Sequence, residues 1–365
     1  MNSSAHRRRT SRTTQLIVTG AAVAVAAGGA FALAGSALAG PDRPTGAAEA
    51  PQAVGGGADR AAGTAARAAG GFAPYVDTSL SPAYDLLDTA GKTGVKDFTL
   101  AFITSGGGCV PKWGGAGELD DNPVAQQIPG LRKAGGDVRV SFGGANGSEL
   151  GLACTSADDL AAAYGKVIDR FALTKADFDI EGGALPDTAA NTRRAQAIAQ
   201  LQKKHPGLDV SFTLPVMPEG LTPDGVNLLA DAKKNGVKIS SVNIMAMDYG
   251  ASYTGDMGTY ATQAATATHG QIAKALGLSD ADAWKAVAVT PMIGVNDVQN
   301  EVFTVDDATE LVKFAEDKHL AWLSMWSSTR DRPCPGGAGN SAQPTCSSLD
   351  QEPLAFTKAF AARIG

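Results

Sequence analysis

Asp177-Phe178-Asp179-Ile180-Glu181, running into Gly182-Gly183, alternates three carboxylates with two large apolar residues. This is the two-residue period of a β-strand, whose successive side chains point to opposite faces. Asp177, Asp179 and Glu181 then share one face at steps of roughly 6–7 Å, and burial of Phe178 and Ile180 fixes which way that face looks. Crowded like charges raise one another's proton affinity. A fold that keeps three acids together points to one carboxyl held protonated near neutral pH as a general acid. A calcium site or a solvated strand face would also use acids, but calcium loops carry them on Gly- and Asn-rich turns rather than between Phe and Ile.

Similar runs recur along the chain. Phe72–Asp77, Phe98–Thr104, Val138–Gly144, Ala176–Gly182, Val210–Val216, Val242–Tyr249, Ala286–Val295 and Leu320–Ser327 read as eight strands, several of them apolar on both faces as in a parallel sheet. Amphipathic segments such as Asp158–Phe171, Thr188–His205 and Thr304–His319 lie between them. The second opens on Asp187-Thr188 as a cap and stops at His205-Pro206-Gly207, a helix-ending signal. The alternation predicts an α/β fold, a single (β/α)8 TIM barrel. An open doubly wound sheet would want a Gly-rich phosphate turn after its first strand, where Ser81, Pro82 and Tyr84 stand instead. Barrels gather their functional groups at the C-terminal ends of strands. The runs here end in Asp77, Ser141-Phe142-Gly143-Gly144, Glu181, Asp248-Tyr249, Asn296-Asp297 and Trp326.

The first 39 residues read as a secretory signal peptide. Arg7, Arg8, Arg9 and Arg12 precede the apolar run Leu16 to Leu33, and Ala37-Leu38-Ala39 supplies small residues before a cut ahead of Gly40. Residues 40–71, rich in Ala, Gly and Pro, cannot bury enough apolar surface to offset ordering and read as a disordered linker. Residues 72–365 then form the barrel. Four cysteines, Cys109, Cys154, Cys334 and Cys346, suit an exported chain with two disulfides. Cys334–Cys346 closes a short loop, which leaves Cys109–Cys154. No spacing among the four fits a zinc site, and the reading calls for no metal and no cofactor. Seven of the 31 basic and three of the 37 acidic residues fall in the first 71, leaving the rest at a net −10. That balance excludes nucleic acid as a partner and admits a neutral polymer. A secreted, extracellular monomer, free of the membrane once its signal is cleaved, is expected.

The strand-end residues resemble those of the chitinases of glycoside hydrolase family 18 across residues 72–365. Ser141-Phe142-Gly143-Gly144 is similar to the family's S-x-G-G strand, and Asp177–Glu181 to the end of D-G-x-D-x-D-x-E, with Thr174-Lys175 replacing the first Asp-Gly. Met245-Ala246-Met247-Asp248-Tyr249 resembles the M-x-Y-D region, in the Met-Asp-Tyr form of a bacterial and archaeal branch, and Trp326 stands where the family places an aromatic floor. The resemblance implies cleavage of chitin or chitooligosaccharides with the substrate's own N-acetyl group as nucleophile. Glu181 would be the proton donor, Asp179 the partner of the acetamido N–H, and Asp177 the tuner behind them. Asp248 or Tyr249 would polarise or position the acetamido group over a floor of Trp326. Gly143, Gly144 and Tyr75 would bind substrate. Met245 and Met247 would contact sugar or pack the barrel, Asn296-Asp297 would bind hydroxyls or turn the chain, and Trp113 would be a sugar platform or a cover for the rim. An endo-β-N-acetylglucosaminidase working by the same chemistry and an inactive chitin-binding lectin are the alternatives.

Overall fold

The first strand, β1, is broken at Ala73-Pro74 into Gly71–Phe72 and Tyr75–Asp77, and the break closes the fold. Its first piece pairs with the last strand (Phe72 with Leu323) and its second with the next strand in the chain (Tyr75 with Thr99), so one chain segment joins both edges of the sheet. Pro74 has no N–H to give, and its carbonyl accepts the Thr99 N–H at 2.9 Å. The structure, a computed structural model, describes residues 71–362. The expected leader and linker lie outside the described residues, Gly71 excepted.

Seven further strands complete a closed parallel barrel: β2 (Asp97–Ser105), β3 (Asp137–Gly143), β4 (Lys175–Asp179), β5 (Asp209–Met217), β6 (Ser241–Ala246), β7 (Val287–Pro291) and β8 (Trp322–Leu323). Each strand is followed by a helix: α1 (Leu86–Thr93), α2 (Ile128–Lys133), α3 (Ala157–Phe171), α4 (Thr188–Lys204), α5 (Pro223–Lys234), α6 (Met257–Leu276), α7 (Val305–Lys318) and α8 (Ala355–Ala361). Side-chain caps start all of them except α2 and α8. Asp187 accepts the Ala190 N–H at the head of α4, and Thr304 with Asp307 forms a capping box on α7.

The alternation in β4 sorts its side chains as expected. Phe178 is fully buried in the layer between sheet and helices, with ring centroids 5.4 Å from Phe142, 5.0 Å from Tyr164 and 5.9 Å from Phe212. Burying such a ring stabilises by about 1.5–3 kcal/mol. Asp177 and Asp179 fall on the lumen side. Several expected runs are longer than the strands they contain. β4 ends at Asp179, so Glu181 stands beyond it in extended backbone. The sixth run ends at Ala246, where the Met247 N–H turns back to the Met245 carbonyl. The seventh breaks after Pro291, and Gly294–Val295 pairs instead with Val302–Phe303. The two disulfides are Cys109–Cys154 and Cys334–Cys346, as expected. Trp113 is 3% exposed and packs on Phe171, covering the rim rather than offering a platform.

Candidate active site

Asp177 is fully buried at the bottom of the site, and its neighbours explain how the barrel tolerates it. Hydroxyls of Tyr75 on β1, Ser141 on β3, and Ser211 and Thr213 on β5 all donate to its carboxylate. Behind them the Asn243 amide on β6 donates to Thr213 at 2.9 Å, and Thr290 on β7 donates to Asn243 at 2.9 Å. A polar ring thus spans the lumen where many barrels place branched aliphatics. The buried acid has hydrogen-bond partners on both oxygens, which burial requires. Burial, with the charges of Asp177 and Asp179 nearby, pushes the Tyr75 phenol well above its ordinary range, so it remains a donor.

Asp179 sits one step further along the same face. It is 3% exposed, and its Oδ1 has no hydrogen-bond partner. Burial first, then the charges of Glu181 and Asp177, push its carboxyl well above the usual carboxylate range. Glu181 lies beyond the strand end, and burial raises it to about 7. A carboxyl of that kind still holds a proton in neutral water and can surrender it during a reaction.

Both acids open onto a cavity of about 360 Å³. Tyr75, Trp326, Met245, Met247, Asp248 and Asp297 line it, as the sequence reading placed them. Phe102, which that reading missed, widens the aromatic floor, its ring stacked on Trp326 at 5.5 Å and 25°. A β-bulge explains Phe102. Ala101 pairs with Ser141 and Ile103 with Phe142, so Phe102 is the extra residue, and its side chain is re-aimed out of the two-residue rhythm into the cavity.

Four expected site residues are placed elsewhere. Gly143 and Gly144 do not line the cavity. A Cβ on Gly143 would come within 2.0 Å of the Asp179 carbonyl oxygen, and one on Gly144 within 2.8 Å of the Phe102 ring. These glycines let the Asp179 backbone and the floor approach β3; they are clearances rather than sugar contacts. Tyr249 also turns away. Asp248 takes a left-handed φ of 52° and accepts the Val298 N–H at 2.9 Å, which aims its own side chain at the cavity. The next residue is thereby sent behind the wall, where the Tyr249 ring packs on Tyr253 and Tyr260 and its hydroxyl has no partner. Of the alternatives for the acetamido group, Asp248 is the one that faces the site, with burial pushing its carboxyl up. Asn296 is fully buried and donates to the Met292 and Gly294 carbonyls, so it holds a turn while Asp297 reaches the cavity.

No protein-family model matches the chain. It is 40% identical over 307 residues to a probable bifunctional chitinase/lysozyme of Escherichia coli K12, covering 80% of this chain and 34% of that protein. It is 40% identical over 279 residues to endochitinase 11 of Metarhizium anisopliae, covering 72% of this chain and 52% of that protein. The chain therefore spans about a third to a half of the length of these curated relatives. The catalytic domain of a hyperthermophilic chitinase from Pyrococcus furiosus superposes with a TM-score of 0.74 at 35% identity, covering 81% of this chain and 95% of that one. Its catalytic-site mutants have been solved with chito-oligosaccharides. This chain belongs to the family 18 chitinases. The fold alone does not set the substrate.

Proposed function

We propose that this barrel hydrolyses β-1,4 links between N-acetylglucosamine units of chitin or chitooligosaccharides, with retention of configuration, by substrate-assisted catalysis. The carrying observation is Glu181, raised to about 7, and the buried Asp179 opening together onto a cavity floored by Trp326 and Phe102. The sugar to be cleaved stacks on that floor. Glu181 gives its proton to the glycosidic oxygen as the C1–O bond breaks, and the acetamido carbonyl oxygen attacks C1 to form an oxazolinium. Asp179 accepts the acetamido N–H through its unpartnered Oδ1, which turns the acetamido carbonyl oxygen towards C1. Water then attacks C1 from the face that the leaving group vacated, giving its proton to Glu181, and two inversions amount to retention. Asp248 positions the acetamido group from the far wall.

The leader read in residues 1–39 and the pairing of all four cysteines support export of a monomer that acts outside the cell, and the Met247-Asp248-Tyr249 order supports the bacterial and archaeal branch. The test is incubation with chitohexaose, following anomers by proton NMR, beside a Glu181→Gln variant. Release of β-anomeric shorter oligosaccharides by the unmodified protein alone is expected. Binding without turnover in both proteins would favour a lectin, and an α-anomer as first product would remove the substrate-assisted mechanism.

A further inference from the structure

The sequence contains two Asn-Gly pairs, Asn146-Gly147 and Asn235-Gly236, and the fold treats them oppositely. A glycine after asparagine leaves its backbone nitrogen unshielded by any side chain, open to the carboxamide carbon of the asparagine before it. We propose that Asn146 is a self-modification site, at which the Gly147 nitrogen displaces the side-chain amide and leaves aspartate or isoaspartate on the cavity wall. This goes beyond the chitinase reading and does not depend on it.

Ala145, Asn146, Gly147 and Ser148 are all exposed, and they join two fixed ends. On one side the Gly144 N–H donates to the Asp179 carbonyl at 3.1 Å, and on the other the Ser148 carbonyl accepts the Ser105 N–H at 2.9 Å. Between these anchors neither the Asn146 carboxamide nor the Gly147 N–H has a hydrogen-bond partner among the described residues. The attacking nitrogen and the carbon it attacks are both unengaged, and an exposed loop has the freedom to bring them together. Position 147 also requires glycine. Its φ of 85° is left-handed, and an added Cβ would lie 3.1 Å from the Thr104 hydroxyl oxygen. Asn235-Gly236 is the internal control. At the end of α5 the Asn235 N–H and side-chain amide both donate to the Asp231 carbonyl at 2.9 Å, and the Gly236 N–H donates to the Lys233 carbonyl at 3.0 Å. There the nitrogen is committed and the carboxamide is held.

The step needs water and no other reactant. The Gly147 nitrogen gives its proton to water or hydroxide and bonds to the Asn146 Cγ. The bond from Cγ to the side-chain nitrogen breaks, and that nitrogen takes a proton from water and leaves as ammonia. Water then opens the five-membered imide at either carbonyl. One opening gives aspartate in an unchanged main chain. The other routes the main chain through the side-chain carbon as isoaspartate, one methylene longer. Either product adds a carboxylate to the cavity that Asn146 lines with Asp179 and Glu181, and isoaspartate also lengthens the span between Gly144 and Ser148. Weaker binding of substrate at that wall follows.

The test holds the folded protein in mildly alkaline buffer for days, maps its peptides by mass and counts isoaspartate by enzymatic methylation. The peptide with Asn146 should gain about 1 Da, at least about tenfold faster than the peptide with Asn235, and faster as the buffer is made more alkaline, because the attacking nitrogen must first lose its proton. KM for chitohexaose should rise about threefold as the modified fraction approaches one. An Asn146→Gln protein aged alongside should keep the KM of its own fresh sample, since closure to a six-membered ring is slower. An Asn146 peptide that stays unmodified, or is modified no faster than the Asn235 peptide, overturns the site. Full conversion with KM unmoved overturns its effect on the cleft. Fresh protein without turnover removes the chitinase reading and leaves the mass readout to decide the modification.

Discussion

At the scale of single residues, the site is an arrangement of proton affinities. Asp177 is satisfied by hydroxyls, Asp179 is buried beside two other acids, and Glu181 is lifted to about 7 by burial. Replacing Glu181 with Gln removes the proposed proton donor, and kcat on chitohexaose should fall about 10²–10⁴-fold with KM little changed. The pH dependence follows from the same group. The proposed proton donor must enter the reaction protonated, so kcat/KM should fall as pH rises through about 7. Its stability effect has a defined sign. A carboxyl raised from 4.5 to about 7 is penalised when ionised in the fold, so its contribution is intact below pH 4.5 and lost as pH climbs through about 7. Glu181→Gln should therefore be more stable than the unmodified protein at pH 8, by on the order of 1–3 kcal/mol, and equal to it at pH 4. Denaturant melts at the two pH values check this. Tyr249 gives the opposite expectation. Its hydroxyl is buried without a partner behind the wall, so Tyr249→Phe should leave kcat/KM within about twofold and not lower stability, because an unsatisfied buried hydroxyl is a cost. A loss of more than about tenfold in kcat would put that phenol back in the site.

At the scale of elements, what could be read in advance and what could not have different physical origins. The acids of β4 were legible because a strand's alternation is local and Phe178 and Ile180 leave only one face for the charges. Trp326, Asp248 and Asp297 were legible as strand endings. Phe102 was not, because the bulge that re-aims it is set by pairing with Ser141 and Phe142 on another strand. Tyr249 was misplaced because the left-handed turn at Asp248 depends on the Val298 N–H, and the Tyr249 N–H is held by Glu301; both partners come from the loop after β7. Gly143 and Gly144 were recognised as a motif and given the wrong reason, since a close approach between strands leaves no mark in one strand's own pattern. That reason is testable. Gly143 has a φ of 109°, and an added Cβ would lie 2.0 Å from the Asp179 carbonyl oxygen. Gly143→Ala should cost about 3 kcal/mol or more, read as a lowered denaturation midpoint. A variant of undiminished stability with weaker substrate binding would instead restore the glycine to the sugar contacts.

At the scale of the whole molecule, the barrel is closed by β1, and its C-terminal rim is pinned by two disulfides of unequal reach. Cys109–Cys154 bridges 45 residues and Cys334–Cys346 bridges 12. Cross-links stabilise chiefly by restricting the unfolded chain, more for longer loops, which gives about 4 kcal/mol for the first and about 3 kcal/mol for the second. They also differ in what they hold. Cys109 precedes the hairpin strand Pro111–Trp113, which packs against β2 and leads to Gly114 on the cavity wall. Cys154 ends the short helix Leu150–Ala153, reached through the loop that carries Asn146 onto the same wall, and the Ser105 N–H bonds the Ser148 carbonyl between them at 2.9 Å. Cys334–Cys346 instead encloses a segment whose Gln343 carbonyl accepts from Arg330, away from the cavity. Replacing both cysteines of a bridge with Ser should lower Tm by about 1.5–2 °C per kcal/mol, with the larger fall for the Cys109–Cys154 pair. Only that pair should raise KM for chitohexaose, by a few-fold, as its wall loosens. Calorimetry and steady-state kinetics on the two double variants decide it: a larger thermal loss from the shorter bridge, or a KM that moves equally in both, would mean that native contacts rather than loop length and wall position govern what the bridges do.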